Sequence, residues 1–177
     1  MREPEIETAA PGSPAGAAVL RAYMTDIVGR YQGRQATTDE VDAALRDHPP
    51  VGLAPPEGVF LLARDGDDVV GCAGMQVLPG GVGEVRRVFV EPRARGRGIG
   101  TRLLRELERH AAVRGVTRLR LDTRHDLVEA RALYARLGYA EVAPFNVGPY
   151  AEHWFAKELP SGQELAGADV PSSSPRM

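Results

Sequence analysis

The sequence predicts a mixed α/β (α+β) domain, with helices packed on a mixed, mostly antiparallel sheet and a β-α-β unit at its centre. Three observations carry that expectation. Apolar residues recur at helical spacing in four segments, while the middle of the chain is a series of short apolar runs separated by turn signals. One of those runs hands over directly to a helix through a glycine- and arginine-rich stretch, VEPRARGRGIGT, at residues 90–101. Finally, 177 residues with 43% hydrophobic and 26% charged content suit one domain with a real core.

Each element has its own warrant. Residues 5–8 form a short opening strand. From Pro14 the positions Val19, Leu20, Tyr23, Met24, Ile27 and Tyr31 follow a helical period, which Gly33 ends. Thr37 and Glu40 match a capping box ahead of Val41, Ala44 and Leu45, so a second short helix follows. His48-Pro49-Pro50 stops it and opens a Pro/Gly-rich loop that lasts to Gly58. The run at 59–63 is a strand, and Arg64-Asp65-Gly66-Asp67-Asp68 is a hairpin turn. Strands follow at 69–78 and 83–90, the latter with Val85, Val88 and Val90 as its apolar content. Ile99, Leu103, Leu104, Leu107 and Ala111 share one helical face, and Gly115 caps it. Residues 116–122 alternate, with Leu119 and Leu121 opposite Arg118 and Arg120, as a half-buried strand does. Leu127, Ala130, Leu133, Tyr134 and Leu137 form the last helical stripe, ended by Gly138, and short strands at 139–142 and 153–159 close the domain. Residues 1–159 are thus one domain, and 160–177 read as a disordered tail. The strand–helix–strand unit around VEPRARGRGIGT requires a right-handed crossover and two parallel strands.

Bulk properties exclude several classes. A net charge of −2 makes the arginine cluster a local feature, so no nucleic-acid partner is expected. No apolar run reaches the ~18 residues of a membrane span, and the N-terminus lacks a signal-peptide core. The expectation is a cytoplasmic protein with no membrane partner; a homodimer stays open. The single cysteine, Cys72, permits no intrachain disulfide. It lies in an apolar strand, where a thiol is inert, and is rejected as a nucleophile. The four histidines show no metal-ligand spacing, so no metal is expected.

The glycine–arginine stretch points to an anion. A helix N-terminus offers unpaired N–H groups and a partial positive charge, and glycines let the backbone come close to a ligand. Arg95 and Arg97 add formal charge there, and Thr101 adds a hydroxyl in the first turn. A diphosphate suits that set. The Walker pattern needs a lysine that is absent here, and Gly96, Gly98 and Gly100 are spaced G-x-G-x-G, not G-x-G-x-x-G.

Arg95-Gly96-Arg97-Gly98-Ile99-Gly100 resembles the R/Q-x-x-G-x-G/A signature of the GNAT superfamily of N-acetyltransferases. GEVRRVFVEP before it looks like that family's fourth strand, LRLDT its fifth, and EARALYARLGY the helix after it. The resemblance covers residues 58–159 well and the N-terminal helices loosely. It implies a GNAT-like fold and an acetyl-CoA-dependent N-acetyltransferase working by direct transfer to an amine. A small or amino-acid-like amine is the first choice of acceptor, and a protein amine the second.

The same resemblance assigns roles. Backbone N–H groups of Arg95, Gly96, Arg97, Gly98, Ile99, Gly100 and Thr101 would hold the diphosphate of coenzyme A, with the Arg95 and Arg97 side chains in support. Val88, Phe89 and Val90 would pair with the pantetheine arm where the fourth strand diverges from the fifth, and an N–H there would face the thioester oxygen. Tyr134 would be the general acid: a phenol near 10 is protonated at neutral pH and can meet a leaving thiolate whose conjugate acid titrates near about 8.5. Glu84 would be a general base, directly or through water; as a strand-end carboxylate it would otherwise pair with an arginine such as Arg86. One departure stands out, because Leu127 occupies a place where many relatives carry an asparagine, so either Asp122, Thr123 or a backbone group supplies that polar contact or the contact is absent. Asp39, Glu40, Asp42 and Asp47 could favour a cationic acceptor, or form a solvated helix face. Two rival readings are a non-catalytic acyl-CoA-binding module and an Arg/Gly-loop nucleic-acid-binding domain.

Overall fold

In the computed structural model, which describes residues 3–161, the chain runs β1 (Glu5–Thr8), α1 (Pro14–Gln32), α2 (Thr38–Asp47), β2 (Gly58–Asp65), β3 (Asp68–Leu78), β4 (Val82–Val90), a 3-10 turn (Pro92–Ala94), α3 (Ile99–Val113), β5 (Arg118–Thr123), α4 (Val128–Arg136), β6 (Ala140–Glu141) and β7 (His153–Glu158). The tail expected from residue 160 falls, from 162 onward, outside the described residues. One seven-stranded sheet has the order β1-β2-β3-β4-β5-β7-β6, antiparallel throughout except for the parallel pair β4–β5. This is the mixed, mostly antiparallel sheet with a central β-α-β unit that the sequence predicts.

Local signals set the element ends. Ser13 accepts a hydrogen bond from the Gly16 N–H at 3.1 Å, Pro14 occupies the first turn of α1, and Gly33 closes the helix in the left-handed region at φ +68°. Both halves of the α2 capping box form: the Thr37 hydroxyl accepts from Glu40 N–H and the Glu40 carboxylate from Thr37 N–H. Glu40 also takes Arg34, and these bonds, the Arg34 one above all, hold its carboxyl down at about 2.

The sheet separates two cores. Leu103, Leu104 and Leu107 of α3 and Tyr134 of α4 pack with Leu61, Ala73, Met75 and Val85 on one face. On the other, Val19 and Leu20 of α1 pack with Phe60, Leu62, Cys72 and Phe89. Strand β4, like β2 and β3, faces both cores, and it changes phase along its length. Val85 belongs to the α3 side, and Val88 and Val90 pack there too, whereas Phe89 belongs to the α1 side. Residues three apart on a regular strand point to opposite faces, so an extra residue must lie between Val85 and Val88. The register supplies it: Phe89 pairs with Cys72 and Arg86 with Gly74, leaving Arg87 and Val88 together opposite Ala73. Arg87 takes a left-handed backbone, φ +58°, and its carbonyl accepts the Cys72 thiol at 3.2 Å. The plain strand expected over 83–90 is therefore a bulged one.

The partnership of β4 with β5 ends early. Only Val82, Gly83 and Glu84 pair across, with Arg118, Leu119 and Arg120. Beyond them the strands part, and the sheet opens at its middle.

Candidate active site

The opening between β4 and β5 is a cavity of about 770 Å³. It runs from the glycine loop ahead of α3, past Tyr134, to Asp47 and His48 at the end of α2. Helices from opposite faces of the sheet are tied together across it. Arg30 of α1 pairs with Glu129 of α4 and donates to the Asp126 carbonyl at 3.0 Å, and Arg124 donates to the Ile27 carbonyl at 2.9 Å.

At one end, Gly96 and Gly98 sit at φ +78° and +73°, conformations that cost an ordinary side chain about 1–2 kcal/mol. A β-carbon at either would meet no atom within 4 Å, so the space in front of the loop is open. Gly98 is also the N-cap of α3, and no side chain caps the helix, which leaves its first N–H groups for an anion. Gly96, Gly98, Ile99, Gly100 and Thr101 all line the cavity. The site's residues fit a diphosphate. Gly100 has a second constraint, since a β-carbon there would lie 2.8 Å from Leu133 Cδ2, so its lack of a side chain lets α3 and α4 approach.

The two loop arginines part company. Arg95 lines the cavity, where it donates to the Val90 carbonyl at 3.0 Å and pairs with Asp26 at 3.0 Å. Arg97 does not line it. Its guanidinium pairs at 2.7 Å with Asp65, at the β2–β3 turn, and holds that carboxyl below the usual range.

Val88, Phe89 and Val90 line the opened edge. Because Glu91 N–H bonds the Val70 carbonyl, the neighbouring Val90 turns its polar groups away from β3, toward the gap.

Tyr134 stands midway. Its ring packs against Tyr139 and Phe155, with centroids 5.9 and 5.8 Å away, and only 5% of the residue is exposed. The residue lines the cavity, and its hydroxyl makes no hydrogen bond to any described residue. Burial, with smaller contributions from Tyr23 and Asp122, raises the phenol above the ordinary tyrosine range. It is a protonated donor without a hydrogen-bond partner among the described residues.

The sequence does not distinguish between the carboxylates near the gap. Glu84 pairs with Arg120 at 3.0 Å, the arginine in turn stacking 4.4 Å over Phe145, and Glu84 is not among the residues lining the cavity. Its arginine partner is Arg120 across the strand pair, not Arg86. Asp122, beyond the point of divergence, does line it. Asn146 donates to Asp122 Oδ2 at 2.8 Å and accepts from Trp154 Nε1 at 2.7 Å, which fixes the carboxylate. From the sequence alone, Asp122 is expected only as a cofactor contact. Leu127, standing where an asparagine was missed, is the N-cap of α4 and gives it no side-chain cap. Cys72 is fully buried and its thiol pKa is raised by desolvation, consistent with an inert role. Two of the four acids of α2 are spent, Glu40 on Arg34 and Asp42 on Arg21, while Asp47 lines the cavity.

Comparison with known proteins bears directly on this geometry. The profile of the acetyltransferase (GNAT) family matches residues 21–139. An IAA acetyltransferase of Azospirillum brasilense is 44% identical over 99 residues, which cover 55% of this chain and 63% of that protein. The chain thus spans less than two thirds of that relative's length. Among solved structures, a GNAT-family acetyltransferase from Staphylococcus aureus superposes with a TM-score of 0.72 at 17% identity, over 89% of this chain and 99% of that one. PaiA N-acetyltransferase from Thermoplasma acidophilum, crystallised with coenzyme A, gives 0.71 at 14% identity, over 89% and 100%. At such identities the likeness is one of fold. The family match, by contrast, extends over well more than half of the sequence and takes in the glycine loop, the divergent strands and Tyr134, so the chain belongs to the acetyltransferase (GNAT) family.

Proposed function

We propose that the protein is an acetyl-CoA-dependent N-acetyltransferase that passes the acetyl group directly to a small amine. One observation carries the reading above the rest: a helix N-terminus with no side-chain cap and a protonated tyrosine with no hydrogen-bond partner among the described residues lie along the same cavity. The loop N–H groups from Gly96 to Thr101 hold the diphosphate, that of Arg95 being donated to the Pro92 carbonyl, and the open edge of Val88, Phe89 and Val90 takes the pantetheine arm. Arg95 reinforces the phosphate site, while Arg97 acts on the fold through Asp65.

The neutral amine attacks the thioester carbon, forming a C–N bond, and charge gathers on the carbonyl oxygen before the C–S bond breaks. Tyr134 gives its proton to the departing sulfur and regains one from solvent. The proton lost from nitrogen passes to a carboxylate or to water. Asp122 suits that role better than Glu84, because Asp122 faces the cavity and Glu84 is held by Arg120. Acetamide and free thiol are the products.

The test is a screen of primary amines with acetyl-CoA, following thiol release. Turnover with at least one amine, lost on Tyr134→Phe, is the expected result. A melting-temperature rise with acetyl-CoA but no thiol from any amine would favour a binding module instead.

A further inference from the structure

At the far end of the cavity from the glycine loop, the charges do not balance. Arg86 and Arg87 both line the cavity and are half-buried. Arg86 donates to the Val51 carbonyl at 2.9 Å and to Gln76 Oε1 at 3.3 Å. Arg87 donates to the His48 carbonyl at 3.0 Å, and its guanidinium lies 5.7 Å from the centroid of the Tyr23 ring. Every one of these partners is neutral. Neither arginine has a carboxylate at ion-pair distance among the described residues. Of the other arginines at the cavity wall, Arg30 is met by Glu129, Arg95 by Asp26 and Arg124 by Asp126, while Arg136 lacks a carboxylate partner among the described residues but is exposed to water. The carboxylates whose fields reach Arg86 are Glu84 and Asp122, and these are engaged by Arg120 and Asn146.

Two half-buried guanidiniums side by side repel, and taking charge out of water without a counter-charge is costly. Burial, and then the neighbouring Arg87 charge, pull the Arg86 pKa down, which reports the same tension. Anchoring by carbonyls of the 48–51 connection nevertheless fixes both forks at the cavity wall. Arg87 is held there by the bulge, in a left-handed backbone that an arginine adopts only where its surroundings impose it. Paired guanidinium forks match a carboxylate, which each can bind through two parallel N–H groups.

We infer that Arg86 and Arg87 bind an anionic group on the acceptor itself, so that the preferred substrate is a primary amine carrying a carboxylate, as an α-amino acid does. This rests on the acetyl-transfer reading above and narrows its acceptor. Of the acidic residues of α2, Glu40 and Asp42 are already neutralised by Arg34 and Arg21, and Asp47, at the cavity wall, is a single carboxylate against the two guanidiniums.

The experiment compares matched acceptors, each a free α-amino acid and its primary amide, across several side chains. The quantity is kcat/KM corrected to the neutral amine, since the amide lowers the pKa of its own amino group. The expected ratio favours the acid by about 10–100-fold, the range of hydrogen bonds to charged groups. Arg86→Gln and Arg87→Asn should each bring the ratio toward one, and Arg86→Lys should keep part of it. Retention of the acetyl-CoA-induced melting shift verifies that a variant is folded. A wild-type ratio of one or below overturns the inference without touching acetyl transfer, and so does a ratio that survives both variants. No thiol release from any acid or amide, with acetyl-CoA still bound, overturns the acetyl-transfer reading and this inference with it.

Discussion

Replacing Tyr134 by phenylalanine isolates one hydroxyl. The ring and its contacts with Tyr139 and Phe155 remain, and since the hydroxyl bonds no described residue, stability should change little. General acid assistance is worth roughly 10²–10⁴-fold, so kcat should fall by that order while acetyl-CoA affinity holds; steady-state and single-turnover rates with one amine decide it. The raised pKa adds a pH signature. A buried phenol favours its neutral form, so kcat should not decline as pH rises through about 10, where an ordinary tyrosine ionises. A wild-type profile that bends down there would remove Tyr134 as the acid. The two glycines of the loop should also separate. Gly98→Ala puts a methyl into the open space before the helix at a positive φ, and should abolish the melting shift given by acetyl-CoA. Gly100→Ala drives its methyl into Leu133 and should instead destabilise the protein by about 1–3 kcal/mol in urea titrations.

At the scale of elements, punctuation made the chain legible. Gly33, the Thr37–Glu40 box and the Asp65-Gly66 turn act through neighbours in sequence, so the elements they delimit could be placed within a residue or two. Thr37→Ala tests one such signal: losing the cap of α2 should cost about 1 kcal/mol by chemical denaturation. The same locality explains why the loop and Tyr134 can be proposed from the sequence, each lying inside a contiguous motif, and both line the cavity. What could not be read depended on two strands at once. Whether Glu84 or Asp122 meets the cavity is decided by where β4 leaves β5, and that ladder is three residue pairs long. The direction of the Arg97 side chain is hidden for a similar reason, because its partner Asp65 lies at a turn 32 residues away. The bulge did leave a trace. Val85 and Val88 are apolar at a spacing of three, which no regular strand can bury on one face.

For the molecule as a whole, the site is a gap in a continuous sheet, walled by helices from both faces and held by Arg30 and Arg124 reaching across. Its position follows from where β4 leaves β5, and from the bulge that β4 carries just beyond that point. Removing Arg87 altogether would leave Arg86 opposite Gly74, Val88 opposite Ala73 and Phe89 opposite Cys72, an unbroken ladder with every apolar residue still on its own side. The deletion variant should therefore fold, with circular dichroism and melting close to those of the parent, and should lose acetyl transfer. Arg87 is in that sense supernumerary: the sheet is complete without it. The chain is one residue longer than its architecture requires, and that spare length is where the chemistry was given room.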